Sequence, residues 1–160
     1  MAQGNVEVVT RDLGGDRYRM TATAHFDAAA DRVWKLLSNW ERLVAVGLPG
    51  MTSEFEWLSG GSDDVPSTFQ FVIAGATLKE EIYERTTNEG GDHYLLRYRA
   101  LEPALGVIEY DAVLELQRLT AKGTAFEAVR EVRLEPGNTP DMLAEMVRSE
   151  TQCLKEYFKA

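Results

Sequence analysis

Two carboxylates, a tyrosine and an arginine are the residues of this chain whose positions point to chemistry. Glu80 and Glu84 lie in the stretch Thr77 to Thr86 and share the phase of Leu78 and Ile82. Alternate residues of an extended strand face the same way, so an interior that takes Leu78 and Ile82 also receives both carboxylates. A carboxylate against an apolar interior is costly unless it is paired. Arg130, on the apolar phase of Thr124 to Leu134, is the expected partner of Glu84, and Tyr98 is the expected hydrogen-bond donor. Two roles are open to these groups. Glu84 and Arg130 form a buried bridge that fixes the sheet, or snorkel out at a pocket end. Alternatively, Glu84, Tyr98 and Arg130 are catalytic or ligand-orienting, with Glu84, its pKa raised, serving as acid or base in an aldol cyclisation or dehydration. A one-residue change of register would turn Tyr83 and Arg85 inward instead.

Other reactive residues fit no comparable pattern. Cys153 has no histidine near it in sequence and reads as a small core residue on the apolar side of a helix. His25 and His93 share no metal-ligand spacing, so we expect no metal and no cofactor. Ser67 and Thr68 lack a nucleophile motif. Asp63-Asp64 and Glu80-Glu81 also read as solvated turns and faces.

A formal net charge of -9 argues against nucleic acid and anionic membranes as partners, because such binding rests on clustered Lys and Arg. The single cysteine excludes an intramolecular disulfide, and the cytoplasm is the expected location. Met1 to Thr10 lacks the features of a signal peptide, so the mature chain is expected to begin there. No stretch approaches the roughly 20 apolar residues that an integral membrane helix needs. At 160 residues and 44% hydrophobic, the chain is expected to form one domain, residues 1–160 with a core over about 17–158.

The elements that position these residues follow from periodicity. Tyr18, Met20, Ala22, Ala24 and Phe26 alternate with polar residues and predict a first strand over Arg17 to Phe26. Asp27 is a candidate N-cap for a helix carrying Val33, Trp34, Leu36 and Leu37, and a second short helix spans Trp40 to Val46. Alternation then predicts strands over Thr52 to Leu58, Ser67 to Ile73, Thr77 to Thr86, His93 to Leu101, Gly106 to Leu119 and Thr124 to Leu134. A long helix closes the chain, with Thr139 as N-cap, Pro140 at its first position, and an apolar stripe from Met142 to Phe158.

The order of elements and five short pieces of sequence carry a resemblance. Phe26-Asp27-Ala28-Ala29-Ala30-Asp31-Arg32-Val33-Trp34, Leu37-Ser38-Asn39-Trp40 and Leu48-Pro49-Gly50, with Glu84-Arg85 and Tyr98 with Leu101 to Tyr110, are similar to the helix-grip superfamily. That superfamily includes polyketide cyclase and dehydrase-like proteins, START lipid-transfer domains and birch-pollen-allergen-like proteins. The resemblance implies an α+β helix-grip fold: a seven-stranded curved antiparallel sheet wrapped around the C-terminal helix, with two short helices between strands 1 and 2. Gly47-Leu48-Pro49-Gly50 resembles the gate loop of plant hormone receptors in letters but precedes the second strand, so hormone sensing is not carried over.

In such a fold the space beneath the helix is usually a ligand pocket, mostly apolar with a few orienting polar groups. Alternation places Phe55, Trp57, Phe69, Phe71, Leu78, Ile82, Tyr98, Ile108, Tyr110 and Phe126 inward from the strands, with Met142, Met146 and also Cys153 from the helix. The first functional expectation is therefore a binding protein for a small hydrophobic molecule such as a lipid, polyketide or aromatic metabolite. Rival expectations are a cofactor-independent cyclase or dehydratase and a co-chaperone-like interaction module, the latter with an exposed apolar patch. A homodimer through an edge strand or the loops Ala74 to Thr77 and Leu101 to Gly106 is open, and no sequence feature specifies it.

Overall fold

Period-two alternation becomes one eight-stranded antiparallel sheet in the computed structural model, which describes residues 5–159. In chain order the elements are β1 (Glu7–Gly14), β2 (Arg17–Phe26), α1 (Ala30–Ser38), α2 (Trp40–Gly47), β3 (Thr52–Ser59), β4 (Ser67–Ile73), β5 (Ala76–Thr87), β6 (His93–Ala100), β7 (Val107–Thr120), β8 (Gly123–Leu134) and α3 (Asp141–Tyr157). The sheet order is β1-β2-β8-β7-β6-β5-β4-β3. Chain neighbours from β3 to β8 therefore form a meander, and β2 joins it at β8. Helices α1 and α2 cross between β2 and β3; α1 reaches β7 and β8, α2 reaches β3, and α3 packs on α2, β2 and β1.

The strand count is eight rather than seven. Strand β1 was not expected because an edge strand needs no apolar face: of its residues only Val8 is even half-buried. Backbone pairing with β2 holds it, from Glu7 opposite Thr23 to Gly14 opposite Arg17. Gly14 and Gly15 have φ of 85° and 64°, a left-handed turn that glycine adopts without strain.

Two helix caps also differ from expectation. The N-cap of α1 is Ala29 rather than Asp27, and that of α3 is Pro140 rather than Thr139; neither makes a side-chain cap bond. In contrast, Asn39 caps α2 by accepting from the Arg42 N–H at 3.3 Å.

The core lies between the inner sheet face and the three helices. Ala22 and Ala24 are buried on β2, where their small side chains let α3 approach and bury Val147, Thr151 and Leu154. Phe26 stacks on Phe126 at 4.9 Å and meets Phe158 at 5.3 Å, which ties β2 and β8 to the end of the last helix. A second aromatic group spans β3 and β4. Phe55 and Phe71 flank Phe69 at 5.4 and 6.2 Å, and Trp40 of α2 sits over Phe69 and Tyr98 at 5.7 and 4.7 Å. Pairs of this kind each add about 0.5–1.5 kcal/mol beyond their buried area.

Candidate functional site

Strand register sets the site. Ser67, Ile82, Tyr98, Ala112, Arg130 and Met20 stand side by side on the inner face, one from each of β4, β5, β6, β7, β8 and β2. Ala112, between Tyr98 and Arg130, is small enough to leave room for the two large polar side chains to lean together. Glu80 lies one inward step from Ile82 along β5, beside Phe69, and Tyr110 lies one inward step from Ala112 along β7.

These side chains form a buried polar cluster in an apolar interior. Arg130 donates through Nε to the Tyr110 hydroxyl at 2.7 Å and through Nη2 to Glu150 Oε1 of α3 at 2.7 Å. The Tyr98 and Tyr110 hydroxyls share a hydrogen bond of 2.7 Å. Glu80, Tyr98 and Arg130 are all buried, with Glu80 only 6% exposed. Because Tyr110 accepts from a guanidinium, its own proton becomes a better donor. That favours Tyr110 donating to Tyr98 and leaves the Tyr98 proton free for another acceptor.

Burial sets the protonation states. It pushes the Glu80 carboxyl up from the usual 4.5 to about 8; nearby Glu150 pushes the same way and Arg130 opposes both. Glu80 is thus mostly a neutral acid near pH 7, able to donate a hydrogen bond. Burial also raises both hydroxyls, Tyr98 well above its ordinary value with Tyr110 contributing. For Arg130 burial works against the charge, but Tyr110, Tyr98 and Glu150 outweigh it, so the guanidinium stays charged. The Arg130–Glu150 pair and the neutral Glu80 leave the cluster without net charge near neutrality.

Glu84 is not part of it. A bulge between Ile82 and Glu84 inserts a residue into β5, so that Glu84 stands opposite Arg97 and Arg85 opposite the buried Leu96. Glu84 pairs with Arg97 at 3.0 Å on the outer face, both side chains about 40% exposed, and Arg130 takes Glu150 instead. Tyr83 also faces outward, donating to Asp111 at 2.7 Å.

The expected lining residues divide in a similar way. Phe69, Phe71, Ile82, Tyr98 and Phe126 are buried on the inner face, and Phe55, Trp57, Leu78, Tyr110 and Met146 are half-buried against the core. Ile108 does not pack there. The bulge between Val107 and Glu109 places Val107 against the core in its stead, opposite Leu134. Met142, in the first turn of α3, is 86% exposed, and the first buried residue of that helix is Val147. Cys153 is half-buried and lines an outer groove between α2 and α3 with Val46 and Tyr157. His93 bonds Glu115 at 2.7 Å on the outer sheet face, where His25 is exposed. Among the described residues no three His, Cys, Asp or Glu side chains are grouped to hold a metal.

Glu150 was not anticipated, although its position carried a signal. It falls within the apolar stripe of α3, four after Met146, three after Val147 and four before Leu154. A charged residue there needs a partner from the sheet. The approach that provides it also depends on Gly47, since a Cβ at that position would stand 2.9 Å from Glu150 Cγ.

Comparison with solved structures shows the same fold in proteins of remote sequence. The human StarD13 (DLC2) lipid transfer and protein localization domain is similar at a TM-score of 0.70 with 11% identity, covering 99% of this chain and 87% of that one. A point mutant of norcoclaurine synthase from Thalictrum flavum, in complex with a transition state analogue, gives 0.60 with 18% identity over 97% and 100% of the two chains. A hypothetical protein from Helicobacter pylori gives 0.69 with 11% identity over 87% and 86%. No curated protein matches significantly in sequence. The family described as polyketide cyclase / dehydrase and lipid transport matches residues 17–160. By that match the chain belongs to the polyketide cyclase / dehydrase and lipid transport family, and its sheet and helices have the helix-grip form.

Proposed function

We propose that this protein binds a small, largely apolar molecule between the inner sheet face and the helices, and that Glu80, Tyr98, Tyr110 and Arg130 hold its polar end. The observation that carries this reading is the placement of one neutral acid, two hydroxyls and one guanidinium together in an interior otherwise built of aromatic and aliphatic side chains. Such a group is costly to bury for packing alone, and it offers both donors and acceptors to a carbonyl or hydroxyl. Membership of a family whose description includes lipid transport supports the same class of ligand. The test is titration with Nile red, a neutral apolar dye, alongside native mass spectrometry of the purified protein. Saturable binding of one dye per chain, weakened by Tyr98→Phe, is the expected result. Absence of saturable binding in a protein that also carries no apolar adduct would overturn the proposal.

A second reading rests on the raised Glu80 carboxyl. An acid near pKa 8 sits in the range where it both gives and takes a proton at neutral pH. In an aldol cyclisation or dehydration, Glu80 takes the place expected for Glu84, and Tyr98 and Arg130 polarise the carbonyl. This reading requires Glu80→Gln to abolish turnover of a polyketide-like substrate while the fold and ligand binding persist.

A further inference from the structure

The bulge that turns Glu84 outward brings Arg85 in. Arg85 opens an inward row with Leu96, Leu114, Ala128 and Ala22, directly beside the row of Ser67, Ile82 and Tyr98. All three of its guanidinium nitrogens are out of solvent contact and have no hydrogen-bond partner among the described residues. Among the described residues the fully buried Ser67 hydroxyl, on the adjoining inward row, and the Trp40 indole N–H, against Tyr98, are unpartnered as well.

The unpaired atoms share a sign. Trp40 Nε1, the three Arg85 nitrogens and Arg130 Nη1 are donors only, Ser67 Oγ is able to donate, and among the described residues no unpaired buried side-chain oxygen is an obligate acceptor. Leaving a buried guanidinium unpaired costs more than leaving any neutral group so, and a planar carboxylate is its best geometric match. Burial works against the Arg85 charge, and Asp63 and Asp64 of the β3–β4 loop support it from a distance without bonding to it. The arginine's row has an aromatic neighbour: Tyr94, one inward step from Leu96 along β6, packs on Trp34 at 5.1 Å.

We propose that the apolar ligand is an acid, and that Arg85, with Ser67 beside it, binds its carboxylate. The proposal rests on the pocket reading above and deepens it: the Glu80 cluster holds a neutral polar end and Arg85 an anionic one. The ligand class is a ring-bearing or otherwise apolar carboxylic acid.

The experiment compares 2-naphthoate with 2-naphthalenemethanol, which share a ring system and differ in charge, by calorimetric titration of the full chain. The wild-type protein is expected to bind the carboxylate at least tenfold more tightly, a preference that Arg85→Gln removes and Arg85→Lys partly keeps. In parallel, the Arg85 Nε–H resonance should move on adding naphthoate and not on adding the alcohol, a readout that needs no variant to fold. Equal binding of both probes, or a preference that survives Arg85→Gln, overturns the role of Arg85 while leaving the pocket in place. If neither probe binds and Nile red does, the acid proposal alone falls; if none of the three binds, the pocket reading falls with it.

Discussion

Replacing Glu80 by glutamine should change how stability depends on pH, by an amount the structure allows to be worked out. The folded-state carboxyl titrates at about 8 and the unfolded one near 4.5. Between those values the folded chain keeps a proton that the unfolded chain has lost. Stability therefore falls as pH rises, by about 1.4 kcal/mol per pH unit. Below pH 4.5 both states are protonated and the penalty vanishes; above 8 both are ionised and it is fully developed. Across the interval it reaches on the order of 3 to 5 kcal/mol, a large part of the roughly 5–15 kcal/mol that holds a domain together. Glutamine keeps the shape and a donor and has no proton to lose, so the variant should gain on the wild type as pH rises. Equilibrium urea unfolding at intervals from pH 4.5 to 8.5, read by the fluorescence of Trp34, Trp40 and Trp57, gives the difference curve, from which groups titrating independently of Glu80 cancel. A downward slope of the wild type relative to Glu80→Gln is expected. Parallel curves would show that Glu80 titrates normally, and the account of a neutral acid in the cluster would fail.

Three further substitutions separate the inner cluster from the outer face. Arg130→Leu should destabilise by about 3–5 kcal/mol, because Glu150 and the Tyr110 hydroxyl lose their donor, and Arg130→Leu with Glu150→Leu should recover much of that loss; urea midpoints of the single and double variants measure the coupling. Glu84→Gln, by contrast, removes only a partly exposed pair with Arg97, so stability should change by less than about 1 kcal/mol and Nile red affinity should be unchanged.

Much of the fold was legible because its signals are local. Alternation in Tyr18 to Phe26 or in Thr124 to Leu134 reports which phase of a strand is buried whatever it pairs with, and those strands form where expected. Membership of Tyr98 and Arg130 in one inward group was legible for the same reason, each lying on the apolar phase of its strand. Glu80 was also placed inward, although its weight in the site became clear only with its burial beside Arg130 and Glu150.

What local pattern does not contain is the register between strands. In Ile82-Tyr83-Glu84-Arg85 both phases carry polar residues, so nothing in the stretch itself marks the extra residue. Pairing with β6 decides it, sending Glu84 to solvent and Arg85 inside. The bulge at Val107 to Glu109 exchanges Ile108 for Val107 by the same means. Strand β1 was hidden because an edge strand is held by backbone hydrogen bonds, which leave little mark on side-chain composition. Apart from β1, the sequence by itself determined which segments are strands and helices and which phase of most of them is apolar, since these depend on residues two to four apart. Only the tertiary structure decided which carboxylate meets Arg130, because that contact joins α3 to β8 and depends on Gly47 letting the helices close around Glu150.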